Sequence, residues 1–90
     1  MSHDPIEERA LQAHRRIADR LRRDPSVIAE AQARIERRIA CEGTPPDPVL
    51  CEWRDALLML DPSQVADFIV SGTPRARRLR ISSPLVWLAR

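Results

Sequence analysis

Six prolines divide this chain into short helical stretches. Each follows an Asp, Thr or Ser where helical periodicity begins; the pairs are Asp4-Pro5, Asp24-Pro25, Asp47-Pro48, Asp61-Pro62, Thr73-Pro74 and Ser83-Pro84. The first side chain accepts a hydrogen bond from an unpaired N–H of the first helical turn, and proline there gives up an N–H that would have no partner. Because the residue before a proline disfavours helical conformation, each pair also ends the preceding helix. The sequence therefore predicts an all-α chain with very short links.

The apolar spacing predicts a single domain, a compact small bundle of about five short helices over residues 1–90. Helices over Pro5–Arg23 and Pro25–Cys41 are expected to form an N-terminal helical hairpin within residues 1–42. Two prolines after Gly43 predict a stiff linker over residues 43–47. The remaining elements, within residues 48–90, are a central helix over Pro48–Leu60, a short helix from Pro62 to about Val70, a helix over Arg75–Arg80 and a final turn over Leu85–Leu88.

The helix over Pro48–Leu60 is apolar on more than one side. Its main stripe consists of Val49, Trp53, Ala56, Leu57 and Leu60, and Leu50, Cys51, Leu58 and Met59 fall outside it. A helix of this kind must be covered on several sides, so we expect the other helices to pack around it. Aromatic residues are only 3% of the chain, which indicates a thin core. We therefore expect a partner protein or a second copy of the chain to supply part of the cover, or the fold to be only marginally stable.

The leucine- and tryptophan-containing segment Leu85–Leu88 lies near the end of the sequence, where polar and frayed residues are usual. It is expected to dock either on the protein's own core or on a partner.

Positive charge is concentrated in the last quarter of the sequence, although the net charge is only +2. Residues 68–90 contain five arginines and no acidic residue, and four of the arginines fall in one predicted helix, facing outward: Arg75, Arg77, Arg78 and Arg80. The chain has no lysine. Guanidinium groups are permanently charged, forked donors suited to carboxylate or phosphate, so this cluster is a candidate binding surface, with Trp87 and Leu88 as apolar anchors.

Enzymatic and cofactor motifs are missing from the sequence. With two glycines there is no Gly-rich phosphate loop, and neither histidine belongs to a recognisable motif that pairs it with a nucleophile. Cys41 and Cys51, even taken with His3 and His14, do not have the spacing of a structural zinc site. We expect no cofactor or metal, reduced and partly buried thiols, and a half-buried His14 at the edge of the first helix.

The sequence also lacks a signal-peptide pattern and a run of about 18 apolar residues, the length that a transmembrane helix needs. The expected location is the cytoplasm, without membrane contact.

A helix-turn-helix over Gln64–Arg80 is an alternative interpretation of the same region. Its packing positions would be filled by Ala66, Ile69, Ala76 and Leu79, and Thr73-Pro74 would begin a recognition helix. Against this, Val70 occupies a turn position that favours a small residue, and no Asn or Gln is offered for reading adenine. This alternative predicts a DNA-binding transcriptional regulator.

The segments Glu52–Leu58 (EWRDALL) and Ala76–Pro84 (ARRLRISSP) carry a resemblance to a known group of proteins. Together with the Asp-Pro caps and the arginine-rich composition, they resemble small antitoxins of bacterial type II toxin–antitoxin pairs. Among these the chain looks most like antitoxins encoded beside nucleotidyltransferase-like toxins. Chains of that kind tend to continue after SSP with Phe and Gly and further helix, whereas this one continues with Leu85–Leu88.

The resemblance implies neutralisation of a cognate toxin by stoichiometric binding. The helices from Trp53 onward would pack on the toxin, and Arg75–Arg80 would pair with acidic residues of its active site. The expected partner-binding residues are Trp53, Leu57, Phe68, Arg75, Arg77, Arg78, Arg80, Trp87 and Leu88. The resemblance also implies that DNA binding can accompany toxin binding. A homodimer that pairs through Ala10 and Ala13 of the first helix is a third hypothesis.

Overall fold

A computed structural model describes residues 4–89, and this part of the chain contains five α-helices, one 3₁₀ segment and no strand. The helices are α1 (Pro5–Arg23), α2 (Val27–Glu42), α3 (Pro48–Met59), α4 (Pro62–Ile69) and α5 (Pro74–Ile81), followed by the 3₁₀ segment Val86–Ala89. The prediction of an all-α small bundle is confirmed.

The predicted caps begin four of the helices. In each, the side chain before a proline accepts a hydrogen bond from a backbone N–H of the first turn; these residues are Asp4, Asp47, Asp61 and Thr73. Asp61 and Gln64 form a complete capping box. The start of α2 differs from the prediction, because Asp24 accepts hydrogen bonds from Ser26 and holds a turn, so the helix begins at Val27.

The bundle is built around α1 rather than around α3, which corrects the expectation that the other helices surround the helix beginning at Pro48. α1 packs against α4, α5 and the 3₁₀ segment, whereas α2 packs mainly on α3. The reason is that α1 is the longest helix and buries a stripe of His14, Ile17, Ala18 and Leu21 over two turns. The first two helices therefore make their main contacts with the C-terminal half, not with each other.

One buried apolar cluster joins all the elements, and Trp53 of α3 is its largest side chain. The Trp53 indole Nε1 donates a hydrogen bond to the Leu79 carbonyl oxygen at 3.2 Å. The segment near the chain's end docks on this core, since Leu85 and Leu88 are 1% and 2% exposed. Of the two alternatives for Leu85–Leu88, the structure places it on the protein's own core.

Candidate functional site

The nine predicted partner-binding residues separate into buried and surface positions. Trp53 and Leu57 are each 1% exposed, and Leu88 is equally enclosed. In this structure these three side chains hold the bundle together and are not presented to a partner. Phe68 and Trp87 are half-buried and lie apart, Phe68 beside the end of α3 and Trp87 against α2.

Arg80 does not face outward as expected. Only 7% of it is exposed, and its Nη1 donates to the carbonyl oxygens of Ile69 at 3.2 Å and Ser71 at 2.6 Å. These carbonyls lie at the C-terminal end of α4, where backbone acceptors have no partner within the helix. Two effects lower the pKa of the Arg80 guanidinium: desolvation by burial, which is the larger, and the positive charge of Arg77. The guanidinium nevertheless stays charged. Arg80 therefore stabilises the α4–α5 connection.

Arg77 and Arg78 are exposed but already paired within the chain. Arg77 Nη2 lies 3.0 Å from Glu7 Oε2 of α1. Arg78 donates to both carboxylate oxygens of Glu52 of α3, at 3.0 and 3.2 Å. Hydrogen bonding by Arg78 lowers the pKa of the Glu52 carboxyl. Both arginines thus link α5 to other helices, and an outside anion would have to displace a glutamate.

The same two ion pairs affect the helix-turn-helix hypothesis, because they involve arginines of its recognition helix. Its four packing residues are all buried between α4, α5 and the core: Ala66, Ile69, Ala76 and Leu79. The arginines of the would-be recognition helix, however, are engaged by Glu7 and Glu52, so DNA phosphates would compete with two carboxylates. DNA reading by α5 stays an untested prediction.

Arg75 borders an apolar groove, here called the Met59 groove. Its lining is Asp55, Ala56, Met59, Leu60, Phe68 and Arg75, and its volume is about 380 Å³. The Arg75 guanidinium lies 5.5 Å from the centre of the Phe68 ring. Met59 is 81% exposed and its neighbour Leu58 is 64% exposed. The structure therefore brings together two of the predicted site residues, Phe68 and Arg75, beside Met59, an apolar side chain that the described part of the chain leaves uncovered.

A second concave surface lies on α2 beside the 3₁₀ segment, and is here called the Trp87 cleft. Its lining is Arg34, Ile35, Arg37, Arg38, Pro84 and Trp87, with a volume of about 290 Å³. The Arg34 guanidinium carbon stands 3.8 Å from the centre of the Trp87 ring. The sequence predicts that Arg37 and Arg38 lie on an ordinary solvated helix face. Their spacing within α2 carries no information about the distant residues Pro84 and Trp87, which the fold brings next to them.

His14 is completely buried, which corrects the expectation of a half-buried position. Its ring stacks on Trp53 with the ring centres 6.1 Å apart, and Nδ1 lies 2.6 Å from the Ala10 carbonyl oxygen. A carbonyl only accepts, so Nδ1 carries the proton of the neutral ring, and the buried Nε2 finds no partner within the described chain. Burial, and secondarily the charge of Arg80, lower the pKa of His14, whereas the hydrogen bond to Ala10 opposes this.

This lowered pKa predicts a loss of stability in mild acid. The unfolded chain takes up a proton at His14 near pH 6.5, whereas the folded chain does so only at lower pH. The free energy of unfolding should therefore be undiminished above about pH 7.5 and fall as the pH drops below the ordinary pKa of histidine. Urea unfolding at pH 7.5 and 5.5 measures this, with His14→Phe as the control variant. If the two proteins lose equal stability over this range, His14 is not the responsible group.

The predictions about metal sites, cysteines and membrane helices can be compared with the structure. Among residues 4–89 no three His, Cys, Asp or Glu side chains are grouped so as to hold a metal ion. Cys51 is half-buried as predicted, but Cys41 is exposed near the end of α2, because the last turn of that helix extends beyond its cover. None of the described helices has the length and apolar character needed to cross a membrane.

Comparisons with protein-family models, with curated proteins and with solved structures gave no match for this chain.

Proposed function

We propose that this chain is a non-catalytic cytoplasmic antitoxin, which neutralises a toxin protein by stoichiometric binding through the Met59 groove. The observation that carries the proposal is the 81% exposure of Met59 in a groove that it lines with half-buried Phe68. Its sequence neighbour Leu58 lies outside the groove lining and is also exposed, at 64%. Apolar surface left in water is unfavourable, and neighbouring exposed apolar side chains mark interaction surfaces. These are the side chains that make α3 apolar on a second side.

The charges at the groove define the partner's chemistry. Arg75 is exposed over Phe68, with no carboxylate of the described chain within ion-pair distance. The acid at the groove, Asp55, is already paired with Arg54 at 3.4 Å. A matching partner would insert an apolar side chain between Met59 and Phe68 and bring a carboxylate to Arg75.

The identity of the partner class comes from the resemblance of residues 52–58 and 76–84 to antitoxins. In a nucleotidyltransferase-like toxin, the carboxylate that meets Arg75 would belong to the acids that otherwise hold Mg²⁺ and nucleotide phosphates. The guanidinium would then take the place of the metal charge and block the substrate.

Arg75 is a cleaner test residue than Arg77 or Arg78. Reversing either of the latter to glutamate sets it against Glu7 or Glu52, which disturbs the fold as well as any binding. Arg75 has a ring below it and forms no ion pair among the described residues. Its charge does help to lower the pKa of the Glu52 carboxyl, but after the larger effects of Arg78, so reversing it disturbs fewer contacts.

The test is affinity co-purification of the tagged chain from its native host, followed by expression of the captured protein alone. The proposal requires one stoichiometric partner that arrests growth, rescue of growth by the wild-type chain and weaker rescue by Arg75→Glu. The matched control is Arg16→Glu on the exposed face of α1, which should rescue fully. Recovery of the chain without a partner protein, whether alone, as a homodimer or with nucleic acid only, would overturn the proposal.

A further inference from the structure

Every charged side chain that lines the Trp87 cleft is an arginine. Arg34, Arg37 and Arg38 are spaced i, i+3 and i+4 on α2, so they lie on one face of the helix. The cleft faces away from the interior and shares no lining residue with the Met59 groove. It is therefore a separate basic surface that protein binding at the groove does not use.

The three arginines differ in how they are engaged. Arg34 lies 3.1 Å from Glu30 and Arg38 lies 3.0 Å from Glu42, both as exposed pairs one helical turn apart. Pairs of this kind are weak and screened by salt. Because both lie within α2 and, unlike the pairs of Arg77 and Arg78, connect no second helix, an incoming anion can displace them without loosening the fold. Arg37 has no carboxylate within ion-pair distance in the described part of the chain. An anion would thus meet Arg37 first and recruit Arg38 beside it.

The wall opposite the arginines is aromatic and fixed. Trp87 is held because its neighbours Leu85 and Leu88 are buried, and the Leu88 carbonyl oxygen accepts a hydrogen bond from Arg20 at 3.5 Å. The Arg34 guanidinium stacks on the Trp87 ring at 3.8 Å. Indole and guanidinium together give a planar, cationic surface on which another aromatic ring can stack.

We propose that the Trp87 cleft binds a segment of single-stranded nucleic acid. One base stacks on the Arg34–Trp87 pair, and the phosphates beside it pair with Arg37 and Arg38. A duplex fits poorly because its bases are already stacked on each other. The lining contains no Asn, Gln, Asp, Glu or Ser that could read a base edge, and the proposal assigns its arginines to stacking and to phosphates. Binding should therefore depend little on sequence, although an arginine that turned to a guanine edge would favour that base.

The proposal is tested with the full chain and a fluorescein-labelled 12-nucleotide oligouridylate, by fluorescence anisotropy at several salt concentrations. With two phosphates neutralised, log affinity should fall with log salt at a slope of about −1.4. Dissociation constants on the order of 10–100 µM at low salt are expected for sequence-independent binding through so few contacts. No measurable binding below about 1 mM would overturn the proposal.

Variants assign the binding to the cleft. Arg37→Gln/Arg38→Gln should weaken it roughly tenfold and flatten the salt slope, whereas Trp87→Leu should weaken it roughly tenfold with the slope unchanged. The matched control is Arg15→Gln/Arg16→Gln, which removes the same charge from exposed positions on α1. Circular dichroism checks that each variant is folded. Equal weakening by both double variants would show a response to net charge and overturn the assignment.

A free nucleotide is the other source of a base with a phosphate. Uridine monophosphate, added as a competitor, should displace the labelled strand only at concentrations far above those of the unlabelled oligonucleotide. Displacement by both at equal concentration would show a mononucleotide site and overturn the strand proposal.

Discussion

A Met59→Asp variant is expected to lose the partner protein while keeping its fold. Met59 is 81% exposed and lines the groove with Phe68 and Arg75. An aspartate there would bring a charge into the apolar contact with the partner and would compete with the partner's carboxylate for Arg75. Losing a central apolar contact of an interface weakens the binding free energy by about 2 kcal/mol or more, which corresponds to a loss of affinity of at least about 30-fold. Titration calorimetry with the purified partner measures this directly.

The matched control for this prediction is Ile6→Asp. Ile6 is 65% exposed, lies in the first turn of α1 and is absent from the groove lining. Partner affinity should stay within about twofold of wild type, since surface substitutions outside an interface are nearly neutral. In Met59→Asp, the new charge at the end of α3 should lower the free energy of unfolding by no more than about 1 kcal/mol. Equal affinity of both variants would remove Met59 from the interface.

An Arg80→Met variant is expected to be the most destabilising arginine substitution in α5. Methionine fills much of the same space but cannot donate to the carbonyl oxygens of Ile69 and Ser71. A buried acceptor left without a partner costs about 1–3 kcal/mol, so the loss of both bonds should lower the free energy of unfolding by about 2–6 kcal/mol. Urea denaturation monitored by circular dichroism gives this value.

Arg77→Met is the control on the same helix. It removes the same charge and an exposed ion pair with Glu7, which is expected to contribute no more than about 1 kcal/mol. If Arg80→Met and Arg77→Met destabilise the protein equally, the two carbonyl contacts of Arg80 contribute nothing to the fold.

Local chemistry explains why most of the helices could be predicted. An Asp or Thr followed by proline acts within its own first turn, so Asp61 and Thr73 begin α4 and α5 where their sequence indicates. Asp24 shows the limit of this rule. Its side-chain oxygen accepts a hydrogen bond from Ser26 instead, and α2 begins two residues later than predicted. The sequence pattern does not decide between these two local geometries.

The candidate site could be predicted only in part, because exposure is set by which helices pack together. The apolar pattern of α3 correctly indicates a second apolar side, but not that Trp53 and Leu57 would be covered while Leu58 and Met59 would not. Arginines in one short helix look equivalent in the sequence. Their separation into buried Arg80, paired Arg77 and Arg78, and Arg75 over Phe68 depends on contacts with residues distant in the chain.

The most direct test of partner binding at the groove is the NMR signal of the Met59 methyl group. The chain has two methionines, so protein labelled with ¹³C at the methionine methyls gives two signals, and Met59→Leu assigns one of them. We expect the Met59 signal to shift as the partner captured from the host is added, and to stop changing when the partner reaches one equivalent. A complex that forms at one equivalent by size-exclusion chromatography, while the Met59 signal stays unchanged, would contradict it.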